Sequence, residues 1–348
     1  MNNKNKINLN EFNYLRAIGI FLVVFGHSFP YIDEVSLPFY KYIHSLIYSF
    51  HMPLFFMISG FFAYKILNIK SYKEYKTFIA SKFKKLMIPY LTISFITIPI
   101  KFLLNRFSER SISDSNILID IFLYPWNNPI IFFWFIYVLF LIFIFSPLIV
   151  KLNKYVVITI FFILSIIPIK NIQLMGISTI FSYSIYFFIG LYLRDIYINN
   201  RSKILNFRFN FLKSVLFILI PLIVFMLNLS ISSSNTNLLF STYLNILFFL
   251  KAILGIYLTF ILSIIINKFK YIKHLSCALE TLSFYSFDIY LLSWFPQIFA
   301  RILFYQILKL DYNLVVILSL IFGFTPILVS KFIFRKFSFT KKLFLGVN

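Results

Sequence analysis

Long apolar runs recur along the whole 348-residue chain and constrain its fold more than any other feature. Many approach the roughly 20 residues that a helix needs to cross a bilayer core about 30 Å thick. The composition agrees, because 60% of the residues are apolar and 13% are charged, whereas soluble domains carry about 25% charged residues. The sequence therefore predicts an all-α, polytopic membrane protein and argues against a water-soluble enzyme.

Ten apolar windows stand between polar segments and are predicted to be transmembrane helices. They cover residues 14–30, 46–64, 86–104, 130–150, 155–169, 177–194, 212–229, 239–266, 281–300 and 314–334. No segment between them reaches the roughly 50 residues that an independent soluble domain needs. The chain is therefore predicted to be a single membrane domain over residues 1–348.

The net charge of +22 is interpreted as a record of orientation rather than as a nucleic-acid signal. Of the 33 Lys and Arg residues, 25 fall on the segments that face one side if the windows alternate, and seven fall on the other. Lys251, inside the eighth window, is the remaining one. Cytoplasmic loops carry the excess of Lys and Arg, so both termini are predicted to be cytoplasmic, and no nucleic-acid partner is expected.

Arg16 and His27 are the first ionisable residues inside a predicted span, and such residues mark functional sites by default. They are eleven residues apart, so they lie within about 20° of each other around the helix. At 1.5 Å per residue they are about 16 Å apart along its axis. The alternatives are that Arg16 is a snorkelling anchor and that His27 makes one hydrogen bond between helices.

His51 lies in the second window, two residues before Pro53, which is expected to kink that helix. Ser59 and Gly60 follow two turns later and permit a close approach of a neighbouring backbone or a ligand. A histidine beside a proline kink is as often structural as functional, so both interpretations of His51 remain open.

Lys251 and Asp288, in the eighth and ninth windows, are expected to form a buried ion pair that is structural rather than catalytic. The single cysteine, Cys277, excludes an internal disulfide and a cysteine-based metal cluster, and no metal site is predicted.

The segment from Lys65 to Lys85 carries seven lysines against one acid, Glu74. Its second half is predicted to be an amphipathic helix that runs into the third span, with Lys82 and Lys85 on one face. One interpretation is a cluster that touches anionic lipid. The other is that Lys82, Lys84 and Lys85, with Arg16, hold the phosphates of a cytosolic cofactor.

Two motifs carry a family resemblance. YLRAIGIFLVVFGHS, in which ten residues separate an Arg from a His, resembles the first-helix signature of the integral-membrane acyltransferase family 3. SFHMPLFFMISGFF resembles that family's second-helix segment and is most similar to its fucose 4-O-acetylase-like branch. Softer matches follow in the expected order: KFKKLMIPYL, FFWFIYVLF, FFIGLYL and SFYSFDIYLL.

The resemblance implies transfer of an acyl group, commonly acetyl from acetyl-CoA, to a hydroxyl of a cell-envelope glycan or its lipid-linked precursor. It also implies a multi-pass protein of a bacterial cytoplasmic membrane, with membrane lipid around it. His27 matches the family's essential His, and Arg16 matches its motif Arg. The chain departs from the family at Ser293, where relatives often have a His, and Ser293 is assigned no role.

The chemistry agrees with that assignment. A hydroxyl that attacks a thioester needs a base with a pKa near 7, and imidazole is the side chain whose unperturbed pKa falls there. His27 is therefore the predicted general base, and an acyl-His intermediate is the alternative. The developing oxyanion needs hydrogen-bond donors, for which Ser59, Trp134 and Tyr137 are candidates.

Two other classes of protein share this composition. A transporter or flippase of lipid-linked saccharide also has many helices and few intramembrane charges, but matched pairs of Gly- or Pro-broken helices are not evident here. A polysaccharide polymerase would carry a large Arg-rich outer loop, whereas residues 101–129 hold only Arg106 and Arg110 beyond Lys101. Loss of acetyl esters from surface glycan on deletion of the gene would distinguish the acyltransferase from both.

Overall fold

The computed structural model describes residues 9–30, 38–104, 107, 116–169, 172–206, 215–226, 237–268 and 273–347. Within these ranges all regular elements are helical and no strand occurs, which confirms the all-α prediction.

The helices are numbered in chain order. The first seven are α1 (Asn10–Gly26), α2 (Pro38–Phe61), α3 (Tyr72–Lys82), α4 (Ile88–Leu103), α5 (Ile117–Leu123), α6 (Trp134–Ile149) and α7 (Lys154–Ile166). The others are α8 (Ile177–Leu205), α9 (Ile220–Met226), α10 (Leu238–Lys268), α11 (Lys273–Phe284), α12 (Ser286–Leu292), α13 (Trp294–Ala300), α14 (Tyr312–Phe322), α15 (Pro326–Val329) and α16 (Ser338–Leu345). Four π-helical turns join or extend them, at Phe83–Met87, Val215–Leu219, Arg301–Ile307 and Ser330–Phe334.

Among the described residues, six helical stretches are long and apolar enough to cross a membrane, and a bent pair would make a seventh. The six are Pro38–Asn68, Tyr72–Leu103, Ile131–Ile149, Leu174–Leu205, Leu238–Lys268 and Tyr312–Phe334. All ten predicted windows overlap a helix. In the fifth window, however, α7 has only 13 residues and is about 20 Å long at 1.5 Å per residue, which is shorter than the bilayer core. Part of the seventh window, 212–229, lies outside the described residues. The fold is thus that of a polytopic membrane protein, while ten crossings with cytoplasmic termini stay a prediction.

The predicted ninth span, 281–300, is not one straight helix. α11 ends at Phe284, and α12 is followed by a second helical piece, Trp294–Ile307, at an angle of 51°. Pro296 stands in the first turn of that piece and lacks the N–H that would continue the helix from α12. The bend turns Trp294 and the residues after it toward the end of α1.

α1 lies inside the bundle and packs against α2, α10, α11 and α12. Glu11, in its first turn, is fully buried and accepts hydrogen bonds from Arg201 Nε at 2.8 Å and from Tyr197 Oη at 2.7 Å. This contact fixes the start of α1 to the end of α8.

The crossing of α2 and α8 depends on two glycines. A Cβ on Gly60 would lie 1.9 Å from the carbonyl oxygen of Phe187, and a Cβ on Gly190 would lie 2.0 Å from that of Met57. The prediction that Gly60 permits close approach of a neighbouring backbone is confirmed. α2 continues through Pro53 as one helix.

Candidate functional site

α1 brings Arg16 and His27 to two different cavities. Arg16 lines a cavity of about 340 Å³, here called the Arg16 cavity, together with residues of α2, α3, α6 and α12. His27, at the end of α1, lines a second cavity of about 240 Å³, here called the His27 cavity, with residues of α4 and α13. The two side chains that the sequence assigns to one site therefore face separate spaces.

The Arg16 cavity is strongly basic. Its lining includes the cationic side chains of Arg16, Lys82, Lys85 and Arg335 and the single carboxylate of Asp288. The charges of Arg16 and Lys82 lie over aromatic rings, with the Arg16 guanidinium carbon 5.3 Å from the centre of Phe62 and Lys82 Nζ 4.0 Å from that of Phe143. Such cation–π contacts hold a cation in place without neutralising it.

The helix carrying these lysines begins at a capping box, in which Ser71 and Glu74 exchange hydrogen bonds of 3.2 Å. It passes through the turn Phe83–Met87 and continues as α4, so the predicted helix running into the third span is confirmed. The structure brings Lys82 and Lys85 to the Arg16 cavity. Lys84 instead lines a neighbouring depression, shared with Lys85, Lys76 and the C-terminal Val347.

The predicted pair of Lys251 with Asp288 is wrong. Both carboxylate oxygens of Asp288 accept from Arg335, at 2.7 Å from Nε and 3.1 Å from Nη2, and Ser330 donates to the same group. Asp288 is 1% exposed, and a bidentate guanidinium is the partner that best offsets the cost of burying a carboxylate. Lys251, on α10, is not part of the lining of the Arg16 cavity.

His27 is held by an aromatic partner from α2. Its Nδ1 lies 3.1 Å from Tyr48 Oη, and the Tyr48 ring stacks on His44 with centroids 3.8 Å apart. His51 meets the edge of the Tyr48 ring at 4.8 Å, and its own Nδ1 contacts the carbonyl of Ile47 at 2.7 Å. His51 therefore packs against the tyrosine that contacts His27.

The lining of the His27 cavity mixes apolar residues with several polar side chains. They include the cations Lys101 and Arg301 and the amides Asn128, Gln297 and Gln306, with the indole of Trp294 beside them. Arg301 Nη1 donates to the carbonyl of Phe29 at 3.0 Å, which ties the extension of α13 to the segment after α1. Ser293 itself is buried behind Trp294 and is not part of the lining.

The three predicted oxyanion donors do not meet at His27. Ser59 lines the Arg16 cavity. Trp134 is buried in the core and stacks on Trp126 at 4.6 Å, and Tyr137 donates its hydroxyl to the carbonyl of Phe122 at 2.7 Å. Beside His27, where oxyanion donors are predicted, the structure instead places the cations and amides of the His27 cavity. These residues could not be predicted from the sequence, because the helices that carry them are distant from α1 in the chain.

An aromatic pair separates the two cavities. Tyr290, on α12, lines the Arg16 cavity, and Phe132 lines the His27 cavity. Their ring centroids are 5.5 Å apart, and the hydroxyl of Tyr290 donates to the backbone carbonyl of Phe132. The arrangement provides a basic chamber and a polar chamber along one helix, with a closed contact between them.

Comparison with known proteins gave one match. A family model described as an acyltransferase domain, of the acyltransferase 3 type, covers residues 9–335. Neither the curated proteins nor the solved structures contained a match to the chain. The matched region includes Arg16, His27, Asp288 and Arg335 but leaves out α16, and it does not distinguish a fucose 4-O-acetylase-like branch.

Proposed function

The chain belongs to the acyltransferase 3 family, and we propose that it transfers an acetyl group from acetyl-CoA to a hydroxyl of a cell-surface polysaccharide or lipid-linked sugar. The family itself accounts for membrane acyl transfer in general. The observation that supports the finer proposal is the placement of Arg16 and His27 on one helix, facing a basic cavity and a polar cavity.

The basic cavity suits the donor. CoA carries several phosphates, and Arg binds phosphate through paired N–H donors while Lys contributes point charge. Arg16, Lys82 and Lys85 converge on one space and fit such a group. If the N-terminus is cytoplasmic, as the distribution of Lys and Arg predicts, the Arg16 end of α1 lies toward the side where acyl-CoA is made.

When bound, acetyl-CoA supplies an activated thioester carbonyl. About 16 Å separates Arg16 from His27 along α1, at 1.5 Å per residue. The arm between the phosphates and the thioester therefore has to extend along the helix past Tyr290, and the contact between Tyr290 and Phe132 has to open when the donor binds. The donor is then held at one end of α1 and presented at the other.

His27 is the proposed general base. If Nδ1–H donates to Tyr48 Oη, at 3.1 Å, the other ring nitrogen is left as an acceptor. That nitrogen takes the proton from the hydroxyl of the sugar substrate while the hydroxyl oxygen forms the bond to the thioester carbon. The carbon–sulfur bond breaks, and the imidazolium returns the proton to the departing sulfur. The cationic Arg301 in the same lining is suited to balance negative charge on the carbonyl oxygen. An acyl-His intermediate is the competing route and would give ping-pong kinetics.

The test is acetyl transfer by purified protein reconstituted in lipid. Radiolabelled acetyl-CoA is supplied with a panel of methyl glycosides, and wild type is compared with His27→Ala. A matched control is His274→Ala, which removes an exposed histidine of α11. We expect labelled glycoside from wild type and His274→Ala but not from His27→Ala.

Equal labelling by His27→Ala and wild type would contradict the role of His27. Absence of transfer by wild type to any glycoside, together with export or chain-length defects in cells lacking the gene, would favour the flippase or polymerase instead.

A further inference from the structure

Gln297 holds an unusual position in the His27 cavity. It lies on α13, is 1% exposed and belongs to the cavity lining. Its side-chain nitrogen Nε2 donates to the carbonyl of Val24 at 2.8 Å and to Ser28 Oγ at 3.1 Å. Both partners belong to the end of α1 that carries His27.

Chemistry fixes the orientation of this amide. The carbonyl of Val24 can only accept, so the nitrogen of Gln297 has to face α1 and the oxygen has to face away. Ser28 Oγ donates to the same carbonyl at 2.7 Å, which leaves its lone pairs for Gln297. The amide is therefore oriented by α1 itself.

The oxygen of this amide is left without a partner. Oε1 of Gln297 is buried and has no hydrogen bond within the described part of the chain. An unmet buried acceptor is costly, because it has lost its water without a replacement. Because Gln297 lines the proposed substrate cavity, its unpaired oxygen is suited to accept a hydrogen bond from a ligand bound there.

The neighbouring residues indicate what that ligand is. Trp294 and Arg301 precede and follow Gln297 by three and four residues, so all three share one face of the helix. An indole face, an amide oxygen and a guanidinium suit a compact ring with several hydroxyl groups.

Resting on the proposed function, we infer that Gln297 binds the acceptor through a second hydroxyl, adjacent to the one that His27 deprotonates. The acceptor would then be a sugar with two neighbouring hydroxyls at the acetylated position, one donating to the imidazole of His27 and the other to Oε1 of Gln297.

The test pairs a variant with modified acceptors. Gln297→Met keeps similar volume but has no acceptor oxygen. Steady-state acetyl transfer is measured for wild type and variant with the best methyl glycoside from the panel and with its monodeoxy analogues lacking each hydroxyl next to the acetylated one. For the intact glycoside, we expect the acceptor KM of Gln297→Met to rise at least about tenfold. For the deoxy analogue that lacks the hydroxyl bound by Gln297, wild type and Gln297→Met should have equal acceptor KM values, because neither can form that hydrogen bond.

Asn245→Leu is the matched control for structural damage. Asn245 also donates a side-chain amide to a carbonyl of another helix, that of Ile166 at 3.0 Å, and it lies outside the linings of both cavities. Its thermal unfolding reports what losing such a bond costs the fold alone.

Two results would overturn the inference. A rise in KM that is the same for the intact and all deoxy acceptors would make Gln297 a structural clamp on α1. If Gln297→Met does not fold, the wild-type series decides: no increase in KM on deleting either neighbouring hydroxyl contradicts the diol. Failure of wild type to acetylate any glycoside overturns the proposed function itself.

Discussion

The two cavities along α1 are built in opposite ways. The Arg16 cavity gathers cations from three parts of the chain and binds charge, with Asp288 and Arg335 fixing one wall. The lining of the His27 cavity combines apolar side chains with three amides, an indole and two cations, and its histidine contacts a tyrosine from α2. The comparison teaches that one helix can serve two chemical environments because different neighbours surround its two ends.

Substitution at each end of α1 should give the largest and most distinct effects. His27→Ala should lower kcat on the order of 10²–10⁴-fold, the usual contribution of a general base, with the KM for acetyl-CoA retained. Arg16→Ala should mainly raise that KM. Steady-state kinetics with varied acetyl-CoA measures both. If His27→Ala and Arg16→Ala lowered kcat by the same factor and raised the KM for acetyl-CoA by the same factor, the two cavities would not divide donor binding from catalysis.

The wall of the Arg16 cavity should be the more sensitive part of the fold. Asp288→Asn leaves Arg335 without its counter-charge, and breaking a buried pair costs about 3–5 kcal/mol. The double variant Asp288→Leu, Arg335→Met should recover much of that loss. Thermal unfolding in detergent measures it. Lys251→Met is the comparison variant. If its effect on stability were coupled to that of Asp288→Asn as strongly as the effects at Asp288 and Arg335 are coupled, the pairing of Asp288 with Arg335 would be contradicted.

Adjacent lysines should separate donor binding from surface charge. Lys85→Ala should raise the KM for acetyl-CoA several-fold, because an interaction with a charged group is worth roughly 1.5–3 kcal/mol before solvent screening reduces it. Lys84→Ala, at a neighbouring position outside the Arg16 cavity, should change it less. The KM for acetyl-CoA is measured for both variants at two salt concentrations. Equal changes in this KM for Lys85→Ala and Lys84→Ala would assign both lysines to lipid contact.

Tyr48→Phe should give the smallest effect. It removes the oxygen that contacts His27 Nδ1 but keeps the ring that stacks on His44. A lost neutral hydrogen bond is worth about 1 kcal/mol, so kcat should fall about fivefold with both KM values retained. Unchanged kcat would show that His27 is oriented by the cavity walls alone.

The sequence was sufficient for features that belong to a single helix. The close approach at Gly60 and the helix running through Lys82 follow from local spacing, whereas Arg16 and His27, predicted to share one face, line different cavities. Partners across helices did not follow. Arg335 is 47 residues from Asp288, and Gln297 is 269 residues from Ser28. The sequence predicts a pair of Lys251 with Asp288 because the two carry opposite charges in neighbouring windows. In the folded chain, packing instead brings Arg335 to the Asp288 carboxylate.

The missed residues carried a weak local signal. Trp294, Gln297 and Arg301 repeat at helical spacing after the bend, and an amide and a cation in an apolar stretch are unusual. Their spacing shows that they share a face. It does not show that this face meets the end of α1, which depends on the 51° bend at Ser293 and the neighbouring Pro296.

The contact between Glu11 and Arg201 sets an order on biosynthesis. The two residues are 190 positions apart, and a ribosome adding about 5–20 residues per second needs roughly 10–40 seconds to make the intervening chain. During that interval the first helix is already made while its carboxylate still lacks the arginine. The buried contact of Glu11 can form only after the end of α8 has been made, so α1 takes its final place in the bundle after that point.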